Sequence, residues 1–332
     1  MDLTTQYMGL SLKNPLVASA SPLNTDIGNL RRLEDAGAAA VVLPSLFEEQ
    51  IEAEADRLDF LTAFNAESTP EAASYFPNSD GYRVGPRQYL DLIRRAREAV
   101  DIPVIASLNG ITDDGWVSYA GLMAQAGASG LELNIYFIPG DLSLTGVEVE
   151  QRYLDILRAV RAMVSIPVAV KLSPYFSSLG SMALALRGAG ADALVLFNRF
   201  YQPDIDVSRL EVLTDLELSR HNEVRLPLLW LAVLAGRVNF SLAASTGVAT
   251  ADDVVKYLLV GADVVMTTSA LLRHGVGHMG VLLEGLNAWM GAREFSSLAE
   301  VRGILSQRKV RDPQAFERAN YIKILQGYPA AR

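Results

Sequence analysis

Eight short apolar runs recur along the chain, separated by segments in which apolar and polar residues alternate with helical spacing. The runs are PLVASA from Pro15, AAVVLP from Ala39, PVIASLN from Pro103 and GLELNI from Gly130, then PVAVKLS from Pro167, ALVLFN from Ala193, SLAAST from Ser241 and DVVMTT from Asp263. Such uniformly apolar runs mark parallel strands covered on both faces. The segments between them, among them PRQYLDLIRRAREAV, VEQRYLDILRAVRAMV and TADDVVKYLLVGA, predict the covering helices. Eight strand–helix units predict a single-domain (β/α)8 barrel, a TIM barrel, over residues 1–332, with peripheral C-terminal helices over about 280–326.

AGA recurs ahead of the strands, at Ala36–Ala38, Ala126–Ala128 and Ala189–Ala191, with Gly261–Ala262 as a variant. These predict helix ends in which glycine takes the left-handed conformation before the next strand. Two connections exceed plain crossovers: Ser45 to Pro86 after strand two, and Arg199 to Leu226 after strand six. Both leave from strand C-terminal ends, so they predict lids or substrate walls. GDLSLTGVEVEQ predicts a capped, acidic start to the fourth helix, and the carboxylates from Glu48 to Asp59 read as a solvated helix face.

The 332 residues carry a net charge of −9 and no cysteine. The charge argues against non-specific nucleic-acid binding, and the missing cysteines exclude thiolate nucleophiles, disulfides and iron–sulfur ligation. The N-terminal MDLTTQYMGLSLKNP has neither a basic nor an apolar signal region, and RLPLLWLAVLAGRV is too short to span a bilayer. The expectation is a cytoplasmic protein without nucleic-acid or membrane partners. RLPLLWLAVLAGRV then reads as a buried or interface helix.

Barrel chemistry belongs to the polar groups at strand C-terminal ends. Here these are Ser19, Ala20 and Ser21 on strand one, Ser107 and Asn109 on strand three, Asn134 on strand four, Lys171 and Ser173 on strand five, and Asn198 on strand six. Strands seven and eight end in Ser245, Thr246, Gly247, Thr267, Thr268 and Ser269. Lys171 lies in an otherwise apolar strand, where an isolated ammonium is costly to bury. Three roles are open to it: a structural ion pair, a Schiff base, or a counter-charge to a cofactor. The loops after strands seven and eight lead directly into helices, an arrangement that often binds phosphate. A phosphate site with a buried lysine resembles the way barrels hold flavin mononucleotide (FMN), the lysine lying near N1 and the C2 carbonyl.

In order and spacing, NPLVASA, LELN, VKLSPYF, Asn198 and the closing STG and TTSAL resemble the class 1 dihydroorotate dehydrogenases, over roughly Leu10 to Leu286. The resemblance implies an FMN-dependent barrel oxidoreductase acting on CH–CH groups, and a homodimer. It implies that Lys171 contacts the flavin, that Asn134 and Asn198 serve flavin and substrate, and that Ser19–Ser21 and Ser45 lie beside the ring. Ser245–Gly247 and Thr268–Ser269 match the phosphate turns. The family continues strand four as Glu-Leu-Asn-Leu-Ser-Cys-Pro-Asn, the cysteine being its catalytic base. This chain has ELNIYFIP, so Phe137 stands at the base position, Pro139 at the following asparagine and Pro44 at the lysine after strand two. Proton abstraction needs a titratable group within reach, and Phe137 supplies none. The substrate is therefore expected to differ from dihydroorotate.

Lys171, Asn134, Ser173 and His221 remain as candidates for the chemistry, with Tyr175 as a further proton donor; Tyr136 reads as packing. For a small, anionic substrate the candidates are Asn78, Arg83, Asn134, Asn198 and Arg199. The two arginines equally fit as tethers for the acidic segment after strand two. His274 and His278 lie among glycines and read as no metal site. Two other readings stand beside the enzyme: an inactive flavin-binding accessory or sensor protein, and a flavin-free barrel with a Schiff-base lysine.

Overall fold

The computed structural model describes residues 1–54, 85–112, 117–199, 202–213, 217–317 and 326–327. Eight of its strands, all parallel, close into a barrel: β3 (Leu16–Ala18), β4 (Ala40–Phe47), β5 (Val104–Asn109), β6 (Gly130–Asn134), β7 (Val168–Leu172), β8 (Ala193–Leu196), β11 (Ser241–Ala244) and β12 (Val264–Thr267). They are the eight apolar runs, and β12 pairs back with β3 to complete the circle. The fold is the predicted (β/α)8 barrel.

Leu131, Leu133, Val170 and Leu172 face the surrounding helices, while Val17, Ile105, Ala169, Val195 and Met266 fill the interior. That alternation is the period-two geometry of a strand. The AGA glycines behave as expected: Gly37, Gly127, Gly190 and Gly261 all have positive φ, between 99° and 116°.

The N-terminal segment holds a feature the apolar pattern did not predict. Strands β1 (Thr5–Tyr7) and β2 (Leu10–Leu12) form an antiparallel hairpin around Met8 and Gly9, both at positive φ. Tyr7, Met8 and Leu12 pack against the interior residues and close the lower end of the barrel. Each strand has three residues, too few for a two-residue period to register.

Three buried tyrosines brace the opposite end. Tyr89 in α2 (Pro86–Ala99) bonds both the N–H and the carbonyl of Ser107, at 2.9 and 3.2 Å. Tyr153 in α4 (Gly146–Met163) donates to the Ile135 carbonyl at 3.2 Å. Tyr257 in α7 (Ala251–Val260) bonds the carbonyls of Thr246 and Ser245, at 2.7 and 3.2 Å. Burial raises the Tyr153 hydroxyl to about 12, against a smaller lowering by Ser173. Burial also raises the Tyr257 hydroxyl far above its ordinary value, and each of the three phenols donates to the backbone just where a strand delivers its site residues.

The capped, acidic start predicted for α4 is present, in the form of a Thr145–Glu148 capping box. In the acidic segment after β4, Glu49 and Glu52 are exposed as expected, Asp56 and Asp59 lie outside the described residues, and Glu48 departs from expectation. Glu48 is buried, and its carboxylate accepts from the Ile111 N–H at 2.7 Å and from the Thr112 hydroxyl. Glu48 is not part of the solvated face: it ties the chain after β4 to the chain after β5. After β8 the long connection contains a hairpin of β9 (Asp204–Asp206) and β10 (Glu211–Leu213), followed by a 3-10 turn, His221–Val224. The apolar helix α6 (Arg225–Leu234) buries Pro227, Leu231, Ala232 and Leu234 in the barrel shell. Among the described residues no helix is long and apolar enough to cross a membrane.

Candidate active site

A cavity of 490 Å³ opens at the C-terminal mouth of the barrel, a size typical of cofactor and small-ligand sites. Lys171 lies in its wall. The register aligns Asn109 with Asn134 and Asn134 with Lys171, so three neighbouring strands present polar side chains at one level. Glu132, two residues before Asn134, faces the same interior and is fully buried. Its Oε1 lies 3.3 Å from Lys171 Nζ, and its Oε2 has no hydrogen-bond partner. Lys171 therefore meets a carboxylate inside the barrel, a partner hidden in the LELN motif.

The cofactor-side residues expected from the sequence converge here. Ser19, Ala20, Ser21, Asn109, Asn134, Lys171, Asn198, Ser245, Thr246, Gly247, Thr267, Thr268 and Ser269 all line the cavity. Ser45 is set back from this wall, its hydroxyl 2.7 Å from that of Ser107. The register of β4 against β5 shifts between Val42 and Ser45, around Pro44, and the strand then continues to Phe47, which reaches the cavity. Proline has no N–H for the ladder, which suits it to such an irregularity.

Several hydroxyls of the expected phosphate turns are bonded within the protein. Those of Ser245 and Thr246 donate to the Phe197 carbonyl at 2.6 and 2.9 Å, Thr267 Oγ1 donates to the Val248 carbonyl, and Thr268 Oγ1 to that of Ala20. They shape the turns. Ser219, from the connection after β8, was not foreseen: its Oγ lies 2.9 Å from Ser269 Oγ and accepts from the Gly247 N–H. Arg273 fixes this segment by donating to the Ser219 and Leu218 carbonyls.

Gly247 is the tightest point of that contact. Its φ is +75°, and a Cβ there would lie 2.8 Å from Val224 Cγ1 and 2.9 Å from Val224 N. Gly247→Ala combines an unfavourable φ with a clash against backbone, and is expected to lower stability by about 2–4 kcal/mol. Urea titration of the two proteins measures this, and a loss below 1 kcal/mol contradicts the stated contact.

On the substrate side, Asn198 donates to Asn134 Oδ1 at 2.8 Å. Arg199 lines the cavity but already pairs with Glu223 at 2.6 Å. Asn78 and Arg83 lie outside the described residues. Ser173 is buried behind the cavity wall, accepting from the Tyr175 N–H. His221 is also off that wall, its Nδ1 2.6 Å from Asp253 Oδ1. Phe137 turns toward α4, where the Arg152 guanidinium sits 4.2 Å from its ring centre. Tyr136 lines the cavity in its place. Among the described residues no group of three or more His, Asp or Glu side chains could hold a metal ion.

A closed parallel barrel with a lysine-bearing cavity at its C-terminal mouth defines a barrel enzyme with a cofactor-sized site. The sequence model of dihydroorotate dehydrogenase matches residues 78–290. The chain is 26% identical over 312 residues to the catalytic subunit of dihydroorotate dehydrogenase B (NAD(+)) of Thermoplasma acidophilum, covering 91% of this chain and 98% of that one. Against the same subunit of Pyrococcus abyssi it is 25% identical over 307 residues, with 91% and 98% covered. It is also 22% identical over 340 residues to the NAD-dependent dihydropyrimidine dehydrogenase subunit PreA of Escherichia coli, covering 93% and 78%. The chain belongs to the dihydroorotate dehydrogenase family, oxidoreductases that act on CH–CH groups.

Proposed function

We propose that this protein holds FMN in the barrel-mouth cavity and oxidises or reduces a CH–CH bond of a small anionic substrate other than dihydroorotate. The observation that carries the reading is Lys171, an ammonium group in the cavity wall at the level of Asn109 and Asn134. The residues fit the group: Ser21 Oγ is buried at the cavity wall without a protein partner, and a polar atom of a ligand there would satisfy it. Lys171 would face the N1 side of the ring, while the turns at Ser245–Gly247 and Thr268–Ser269 would take the phosphate. When bound, FMN supplies a hydride acceptor or donor at N5.

The chain's own residues do the rest. Asn134 and Asn198, bonded to each other, hold an amide donor and acceptor at the mouth for substrate. Phe47, Tyr136 and Phe197 exclude water. The altered substrate is supported by Phe137, which offers no base and turns toward Arg152. The same observation favours a second reading, a flavin-binding protein without turnover of its own.

Absorption of the purified protein tests the proposal, with peaks expected at about 370 and about 450 nm for an oxidised flavin. A protein that stays colourless after incubation with FMN refutes both readings. If the protein is coloured, substrate-stimulated reduction of the flavin separates enzyme from binder. The expected homodimer and its concentration dependence are read by sedimentation.

A further inference from the structure

Among the described residues, Glu132 is the one buried carboxylate of the barrel interior, and the proposed chemistry does not use it. It is fully buried, its Oε1 is 3.3 Å from Lys171 Nζ, and its Oε2 is unpartnered. A purely structural ion pair explains this poorly. Buried pairs seldom stabilise a fold more than apolar residues of the same volume, and an unmatched carboxylate oxygen adds to the cost. The surroundings offer no second cation: among the described residues Lys171 is the only basic group in contact with Glu132. Below it lies Tyr7, whose hydroxyl is pushed well above its ordinary value by burial and, to a lesser degree, by the charges of Glu132 and Asp263.

The pair lies at the edge of the cavity. Lys171 belongs to the wall and Glu132 does not, so a ligand in the cavity meets the ammonium with a carboxylate behind it. A lone ammonium there presents a full positive charge, whereas the pair presents a dipole with a much weaker field beyond it. A ligand that gains negative charge when reduced senses the difference directly.

We propose that Glu132 is a positioning residue that holds Lys171 against the barrel interior and attenuates its charge, setting how strongly the cavity favours reduced over oxidised flavin. This rests on the FMN reading above. It goes beyond that reading by assigning control of the flavin's potential to the interior carboxylate.

The test measures the two-electron midpoint potential of FMN bound to the wild type and to Glu132→Gln, a near-isosteric change that removes the charge. The expected result is a potential raised by ~30 mV or more, a tenfold or greater gain in preference for the reduced form. Glu132→Asp keeps the charge but withdraws it by one methylene, and should raise the potential less; it decides the matter if Glu132→Gln does not fold. Bound FMN with an unchanged potential in the variant that folds overturns the inference while leaving the flavin reading intact. A wild type that binds no FMN overturns both.

Discussion

Replacing Lys171 with methionine is expected to lower the unfolding free energy by about 3–5 kcal/mol, the usual cost of stranding one partner of a buried ion pair. Methionine nearly matches lysine in length and is apolar, so the loss does not come from a cavity. It comes from Glu132, fully buried and left without its only ion-pair partner among the described residues. The double variant Lys171→Met with Glu132→Gln removes the stranded charge and should recover at least half of the loss. Urea denaturation of the wild type, both single variants and the double variant gives the coupling directly. A double variant no more stable than Lys171→Met rules out the ion pair as the origin of the cost. Flavin affinity should behave differently. If Lys171 faces the ring, it falls in Lys171→Met and stays low in the double variant, because the ammonium is missing from both. Stability recovered without recovered binding thus distinguishes the lysine's two roles.

The same residue shows how far the sequence can be read. A lysine inside an apolar barrel strand is conspicuous by type, and strand periodicity turns it inward. Its partner is less visible. Glu132 sits in LELN with the same inward parity, but pairing it with Lys171 requires the register between β6 and β7, which no local pattern carries. The barrel was legible because strands covered on both faces are continuous apolar runs, punctuated by glycines such as Gly37 and Gly190 at helix ends. The cofactor-side residues were legible because strand ends in such a barrel converge on one mouth. Contacts between distant loops escaped. Glu48 looks like a surface carboxylate until the chain near Ile111 closes over it. Ser219 is one of several polar residues in a long connection until it meets Gly247 and Ser269. Phe47 and Tyr136 reach the cavity through a strand irregularity and a loop turn, neither of which has a period.

Asp253 is where the second large effect is expected. Its side chain is fully buried at the start of α7, and Oδ2 accepts from the N–H groups of Ala249 and Thr250, at 3.1 and 3.0 Å, and from Thr250 Oγ1 at 2.9 Å. Oδ1 meets His221 Nδ1 at 2.6 Å and Lys256 Nζ at 3.6 Å. One carboxylate therefore caps the helix after β11 and anchors the connection after β8, the segment that delivers Ser219 to the cavity. Asp253→Ala leaves three donors near Oδ2 without an acceptor and releases His221, so a loss of about 3–5 kcal/mol is expected. Asp253→Asn keeps one carbonyl oxygen but turns an amide donor toward groups that are themselves donors, and should lose about 2–3 kcal/mol. His221→Ala isolates the anchoring part. Its ring is 57% exposed, so the stability loss should stay below about 1 kcal/mol. Ligand affinity should fall nonetheless, because the Ser219 segment is less well held against Gly247. Thermal and urea melts of the three variants order these effects. A His221→Ala variant as unstable as Asp253→Ala places the carboxylate's worth in its contact with His221; the expected order places it in the cap. His221, a candidate acid or base in the sequence, lies off the cavity wall against Asp253, and the expected order of stabilities would make it a latch for one wall of the site.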